Sequence, residues 1–477
     1  METTLATELA SIVGPEAVLS QPEDLMLYEY DGSVERATPE AVVFPSTTED
    51  VVRLVHWATE RDLPIVARGA GTGLSGGAVA IEGGLVVGFS RMKKIVEIDL
   101  ANQRAVVQPG VVNLDLSMAV ASSGFYYAPD PSSQKACTIG GNVAENSGGP
   151  HTLAYGVTTN HVLGLEVVLP EGAVIHTGGK APDAPGYDLT GFIVGSEGTL
   201  GIVTEIIVRL CRLPEAVRTI LAIFETVDDA SDTVAEITAR AITPAALEMM
   251  DQLTLQAVEE ATHAGYPRDA AAVLLIELEG LTESVEVQAA QIGEVCRNHS
   301  AREVRRAQSE AERQLLWAGR KNAFGAMGRI AKSFYVQDGV IPRTRIGETL
   351  RFIRQVGERQ GLRIANVFHA GDGNLHPLIL FDQRDREQYR KVVAAGAEII
   401  AFCVSLGGSI TGEHGVGMEK NELMPLLFTE DDLTVMGQLK AVFNPEGRLN
   451  PSKVFPTTKG CGEIRIRHQF GAGMPQA

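Results

Sequence analysis

Residues 64–77 read PIVARGAGTGLSGG: a β-branched apolar run, then five glycines in the ten residues 68–77. This loop restricts the fold more than any other feature of the chain. Glycine at that density does not propagate a helix, and the residues that follow, with Gly76, Gly77, Gly83 and Gly84, leave no room for one. The run Gly71–Thr72–Gly73–Leu74–Ser75–Gly76 satisfies GxGxxG. The doubly wound fold that uses this fingerprint, however, needs a helix directly after the loop to receive a pyrophosphate. The sequence therefore predicts a non-helical loop whose successive backbone N–H groups cradle a diphosphate. Arg68 adds charge to it, and Thr72 and Ser75 add hydroxyls. The bland alternative is a glycine-rich surface turn. Two more stretches, PDPSSQKACTIGGNVAENSGGPHTLAYG (129–156) and VGSEGTLGIVT (194–204), have the same texture. Three such loops, each flanked by strand patterns, point to one extended ligand lying across several loops.

Around the loops the chain alternates strands and helices. AVVFP (41–45), a capped amphipathic helix over 48–61 and PIVA (64–67) make a strand–helix–strand start. Strand patterns follow at 85–90, 95–100, 104–110, 162–170 and 201–210. The texture changes near Leu213–Pro214, beyond which helices at 228–240 and 281–299 alternate with strands at 219–225 and 271–280, and 302–331 reads as basic and helical. The 477 residues suffice for two to four domains. The expected divisions are a helical lead-in (1–37), a loop-rich domain (38–213), an α+β domain (214–425), a segment packing back on the first (426–456) and a loose tail (457–477).

Charge and cysteine usage exclude several function classes. A net charge of −19 argues against non-specific nucleic-acid binding, although a local pocket can still be positive. The five cysteines form no CxxC pair, so neither a disulfide framework nor an iron–sulfur cluster is expected, and a reducing setting fits. The N-terminus shows no signal-peptide pattern. The most apolar stretch, 392–408, is short for a membrane span and contains Glu398.

A second constellation carries chemistry. His369 and His376 frame HAGDGNLH, whose glycines and Asp–Gly–Asn centre predict a tight turn that brings both imidazoles together. ITGEHGVG (410–417) supplies Glu413 and His414. Two histidines and a carboxylate with an open position suit Zn²⁺, Mn²⁺ or Fe²⁺. The alternative is a set of satisfied structural histidines, which is how His151 and His161 are read. Asp372 and Asn374 are assigned to the turn itself. Among the basic residues of 302–331, Arg320 is the first choice to bind a carboxylate through its bidentate fork; Arg343 is the weaker one, and a solvated helix face is the alternative.

The order of these motifs from about residue 40 to 456 resembles the vanillyl-alcohol oxidase/p-cresol methylhydroxylase (PCMH) type of FAD-linked oxidase, and within it the glycolate oxidase FAD-binding subunit and D-lactate dehydrogenase family. The resemblance implies an α+β fold: a two-subdomain PCMH-type FAD-binding domain followed by an α+β cap (substrate) domain with an antiparallel sheet. It implies that Arg68, Gly69, Gly71, Thr72, Gly73, Leu74, Ser75 and Gly76 hold the FAD pyrophosphate. Pro131, Ser132, Gly140, Gly141, Asn142 and Ser147 line the flavin and ribityl chain. Gly195, Glu197, Gly198, Ile202 and Val203 lie near the adenine end or the diphosphate, and Asn450 in LNPSKVFP reaches the flavin. Because the first loop has Thr72 and no histidine, non-covalent FAD is expected.

The family's metal positions match His369, His376 and Glu413, and its base matches His414. The implied reaction oxidises a small D-2-hydroxy acid, glycolate or D-lactate, to the 2-keto acid by hydride transfer to flavin N5. The alternatives are a D-2-hydroxyglutarate-type dehydrogenase and a flavin-dependent alkyl transferase. An electron acceptor or an iron–sulfur partner subunit is implied. The expected location is cytoplasmic, with attachment to a membrane through partners as the variant.

Overall fold

The computed structural model describes residues 2–181 and 185–456; the tail expected over 457–477, with Cys461, lies outside the described residues. The chain forms two compact units. The first takes Met1–Ser147, Val157–Arg212 and the chain from Glu413 onward; the second takes Gly148–Gly156 and Leu213–Gly412.

The first unit contains two principal sheets. In one, Ala41–Val43, Leu85–Gly88 and Ile65–Arg68 run parallel, with Val18–Leu19 antiparallel on the edge beside Ala41–Val43. The helix Thr48–Thr59 begins with the anticipated cap: Thr47 accepts from the Asp50 N–H while Asp50 accepts from the Thr47 N–H. Its buried Val51, Leu54, Val55 and Ala58 pack with Leu9, Leu85 and Val87. The N-terminal stretch is thus only partly helical, because Val18–Leu19 pairs into the sheet. The second sheet is antiparallel, in the order Ile95–Asp99, Arg104–Val107, Ile202–Arg209, Val162–Val168, Val174–Gly178. The helices Asn113–Ala121 and Ile139–Glu145 contribute Leu116, Val120, Ile139 and Val143 to its core.

The second unit is built on a seven-stranded antiparallel sheet. Its order is Glu303–Arg306, Ala216–Phe224, Ala272–Gly280, Ala246–Asp251, Arg363–Phe368, Pro377–Phe381, Ser333–Val336. Leu221, Ile223, Val273, Leu275, Ala246 and Met250 face one core, which Gln252–Thr262, Glu310–Lys321 and Ala323–Met327 cover. Alternation along a strand turns Ile220, Ala222, Leu274 and Ile276 to the other face, where Val227–Ala239 and Thr282–Asn298 pack. Helices on both faces explain why AVLLIELEG reads as an apolar run rather than an alternating one. The basic stretch at 302–331 is not helical throughout: Glu303–Arg306 is an edge strand paired with Ile220–Ile223, and helix starts only at Glu310.

These units divide the chain differently from 38–213/214–425/426–456. Residues 148–156 leave the first unit because His151 reaches Glu277 (3.3 Å) and the Tyr155 hydroxyl donates to Glu279 (2.7 Å). The first unit resumes at Glu413, not at 426. Glu197 accepts from the N–H groups of Val416 and Gly417, and Met418 N–H donates to the Ser75 carbonyl. Farther on, Leu449 lies beside Ile65 in parallel bridge geometry. No helix among the described residues is long and apolar enough to cross a membrane; the apolar 392–408 stretch lies mostly in the helix Arg386–Ser405.

Candidate active site

In the first unit the three glycine loops meet. The first loop leaves Ile65–Arg68 and contains no helix. A Cβ on Gly69 would stand 2.4 Å from Thr138 Oγ1, and one on Gly77 would stand 2.6 Å from Glu145 Oε1. Side chains there would push the first loop off the second. The third loop is stitched to the second by Gly195 N–H to Val143 O and Glu197 N–H to Ala144 O, both 2.8 Å. Gly140, Gly141 and Asn142 lie in the first turns of Ile139–Glu145, capped by Thr138, rather than in an open loop. Asn142 accepts from the Asn113 amide at 2.9 Å. Ile202 and Val203 begin the central strand of the antiparallel sheet.

Three expected cofactor residues spend polar groups on the protein itself. The Arg68 guanidinium donates to Tyr30 O (2.7 Å) and Ala78 O (3.2 Å), so it braces the loop's base. The Asn450 amide donates to Gly77 O (2.9 Å) and Glu197 O (2.6 Å), tying the first and third loops. Glu197, buried with φ +54°, spends its carboxylate on the backbone of Val416 and Gly417, each at 2.7 Å. Burial raises its pKa despite those bonds, and burial together with Glu197 drives the neighbouring Glu145 well above the ordinary carboxylate range.

In the second unit HAGDGNLH forms a tight turn. His369 and Asn374 exchange backbone hydrogen bonds, and Gly373 takes φ +73°, where a Cβ would strike the Ile341 carbonyl at 2.1 Å. The two imidazoles come together edge to face, with centroids 5.1 Å apart. Both are buried. His369 Nδ1 lies 2.8 Å from Glu248 Oε1, and Glu248 Oε2 lies 2.5 Å from Arg320 Nη2. Burial would raise the Glu248 pKa, but Arg320 and His369 outweigh it and hold the carboxylate below its ordinary value. Arg320 is therefore no solvated residue of a helix face: it is 2% exposed.

Asp338 accepts from the Thr411 hydroxyl (2.5 Å) and the Gly412 N–H (3.0 Å), and its Oδ1 stands 3.8 Å from His376 Nδ1. The next residues, Glu413 and His414, open the return segment of the first unit, with His414 Nε2 3.8 Å from Glu413 Oε1.

Comparison with known proteins now bears on this arrangement. The FAD binding domain family matches residues 39–178, and the family of FAD linked oxidases, C-terminal domain, matches residues 213–454. The chain belongs to the FAD-linked oxidases. Glycolate oxidase subunit GlcD of Escherichia coli is 46% identical over 459 residues, 96% of this chain and 92% of the relative. D-lactate dehydrogenase of Anaerostipes hadrus is 32% identical over 428 residues, 88% of this chain and 90% of the relative. Among solved structures, p-cresol methylhydroxylase with substrate bound superposes with TM-score 0.80 at 18% identity, covering 95% of this chain and 96% of that one, which shows the shared fold. This FAD-linked oxidase thus has the PCMH-type fold, with an antiparallel sheet in its C-terminal half.

The first loop of this FAD-linked oxidase suits a diphosphate. None of the backbone N–H groups of residues 69–77 donates to another described residue, and Gly71 and Gly76 take φ +67° and +79°. Such a row of open donors is what an anionic diphosphate requires. The second unit suits a divalent cation at its paired imidazoles. An ionised carboxylate only accepts, so the hydrogen bond to Glu248 places a proton on His369 Nδ1, and in the neutral imidazole that leaves Nε2 as the ligand atom. Glu248, Asp338 and Glu145 did not stand out in the sequence reading. The available signal for Glu248 was an isolated acid inside the strand ALEMMD, because a charge in such a run needs a buried partner.

Proposed function

We propose that this chain oxidises a small D-2-hydroxy acid, glycolate or D-lactate, to its 2-keto acid. The observation that carries the reading is the buried His369–Glu248–Arg320 chain beside His376, in a protein whose relatives are named for glycolate and D-lactate. Arg320 holds the substrate carboxylate: its Nε is buried and makes no hydrogen bond among the described residues, leaving a donor for a ligand. His414 takes the hydroxyl proton, since imidazole titrates near neutral pH. His369, His376 and Glu413 are assigned to a divalent cation, Zn²⁺, Mn²⁺ or Fe²⁺, which when bound makes the hydroxyl proton easier to remove.

FAD, held non-covalently by the three glycine loops, supplies when bound the acceptor for the two electrons leaving the substrate. The loop residues 69–76 hold its diphosphate. Pro131, Ser132, Gly140, Gly141, Asn142 and Ser147 line its ring system and ribityl chain, and Gly195, Glu197, Gly198, Ile202 and Val203 its other end. Asn450 keeps its Oδ1 for the same ligand, as that atom makes no hydrogen bond among the described residues. The relative's designation as a subunit supports a partner protein that takes the electrons onward.

Replacement of His414 by Ala tests the base. With glycolate or D-lactate under anaerobic conditions, flavin bleaching should slow by about 10²–10⁴-fold while the FAD-to-protein ratio stays at the parent value. Equal bleaching rates in variant and parent remove His414 from this role.

A further inference from the structure

We infer that Glu248 is a positioning residue for this reaction, one carboxylate that orients both the imidazole of His369 and the guanidinium of Arg320. The inference rests on the reading above, in which His369 binds a metal and Arg320 the substrate. The sheet explains how one side chain reaches both. Glu248 alternates with Ala246 and Met250, so it projects onto the face that carries the helix Glu310–Lys321. On that helix Arg313, Trp317 and Arg320 share one side at i, i+4 and i+7. Arg320 pairs with Glu248 Oε2 at 2.5 Å, while the strand Arg363–Phe368 delivers His369 to Oε1 at 2.8 Å.

The neighbouring acid on the same sheet face is held differently. Glu277 is taken up by the Thr219 hydroxyl, the Arg313 fork and the Trp317 indole, with His151 at 3.3 Å. The Glu248 side chain, by contrast, is bound by two of the described residues, His369 and Arg320, and both belong to the candidate site. Its two oxygens do separate work. Oε1 keeps the His369 proton on Nδ1 and orients Nε2 as a ligand atom. Oε2 forms the ion pair that anchors a guanidinium whose Nε remains open to a substrate carboxylate.

The test uses the FAD-loaded full chain. Parent, Glu248→Gln and Glu277→Gln proteins are titrated with Zn²⁺ against a chromophoric chelator, and steady-state kinetics with D-lactate and glycolate follow at saturating Zn²⁺. Glu248→Gln should weaken Zn²⁺ binding about 10–100-fold, and at saturating metal it should still show a raised KM because Arg320 has lost its charged anchor. Glu277→Gln should leave Zn²⁺ affinity unchanged. If Glu248→Gln does not fold, Glu248→Asp carries the same test, since it keeps the charge but shortens the reach to His369. Zn²⁺ affinity and KM equal to the parent's overturn the inference alone. A parent that binds no Zn²⁺, Mn²⁺ or Fe²⁺ overturns the metal reading and the inference together.

Discussion

Asn450 is almost fully buried at φ +41°, and its amide donates to the carbonyls of Gly77 and Glu197. Its neighbour Leu449 sits beside Ile65, so this residue closes the first unit as well as joining two of its glycine loops. Asn450→Ala should cost about 1–3 kcal/mol by leaving two buried carbonyls without donors. Asn450→Asp should cost more, because it sets a carboxylate against the same two oxygens. Thermal melts and the flavin-to-protein ratio after gel filtration check this; an Asp variant as stable as the Ala variant would contradict the bonding described. At this scale the sequence shows residue type but not direction. Arg68 and Asn450 are the polar residues a cofactor site calls for, yet their donors turn to protein carbonyls, because each closes a contact among segments far apart in the chain.

At the scale of elements, the glycine loops and the HAGDGNLH turn were legible, since glycine density and Asp–Gly–Asn spacing are local signals. The strands Ile95–Asp99, Arg104–Val107, Val162–Val168, Ile202–Arg209, Ala216–Phe224 and Ala272–Gly280 were legible from their apolar, β-branched runs, whereas Val174–Gly178, Ala246–Asp251, Ser333–Val336, Arg363–Phe368 and Pro377–Phe381 were not read. The edge strand Glu303–Arg306 was not legible either: a single Val among one acidic and two basic residues carries little strand signal of its own, and their pairing with Ile220–Ile223 is a tertiary choice. The meeting of the strand Ala272–Gly280 with the helix Glu310–Lys321 was equally hidden.

That meeting has a pH consequence. Burial alone would raise the Glu277 pKa, but His151 and Arg313 hold it at about 2 against an ordinary 4.5. The folded chain therefore favours the ionised form. The resulting stability is complete above about pH 4.5 and is lost as the pH falls toward 2. Between about pH 6 and pH 3 the melting temperature of the parent should fall more steeply than that of Glu277→Gln, which at pH 6 should already be the less stable of the two. Parallel slopes would show that Glu277 is not the linked group.

For the molecule as a whole, the change of texture near Leu213 coincides with the passage from the first unit to the second. Two crossings were invisible in the sequence. The excursion of residues 148–156 is held by His151 and Tyr155 on acids more than a hundred residues away, and the return at Glu413 is held by Glu197 and Ser75. The measurement that tests this account most directly is anaerobic. The purified, flavin-loaded protein is mixed in turn with glycolate, D-lactate and L-lactate, and the flavin absorption is followed, before and after treatment with a chelator. Glycolate or D-lactate should bleach the flavin, L-lactate should not, and chelation should slow the bleaching. A flavin that stays oxidised with all three acids would contradict the proposed oxidation, and a rate untouched by chelation would remove the metal from it.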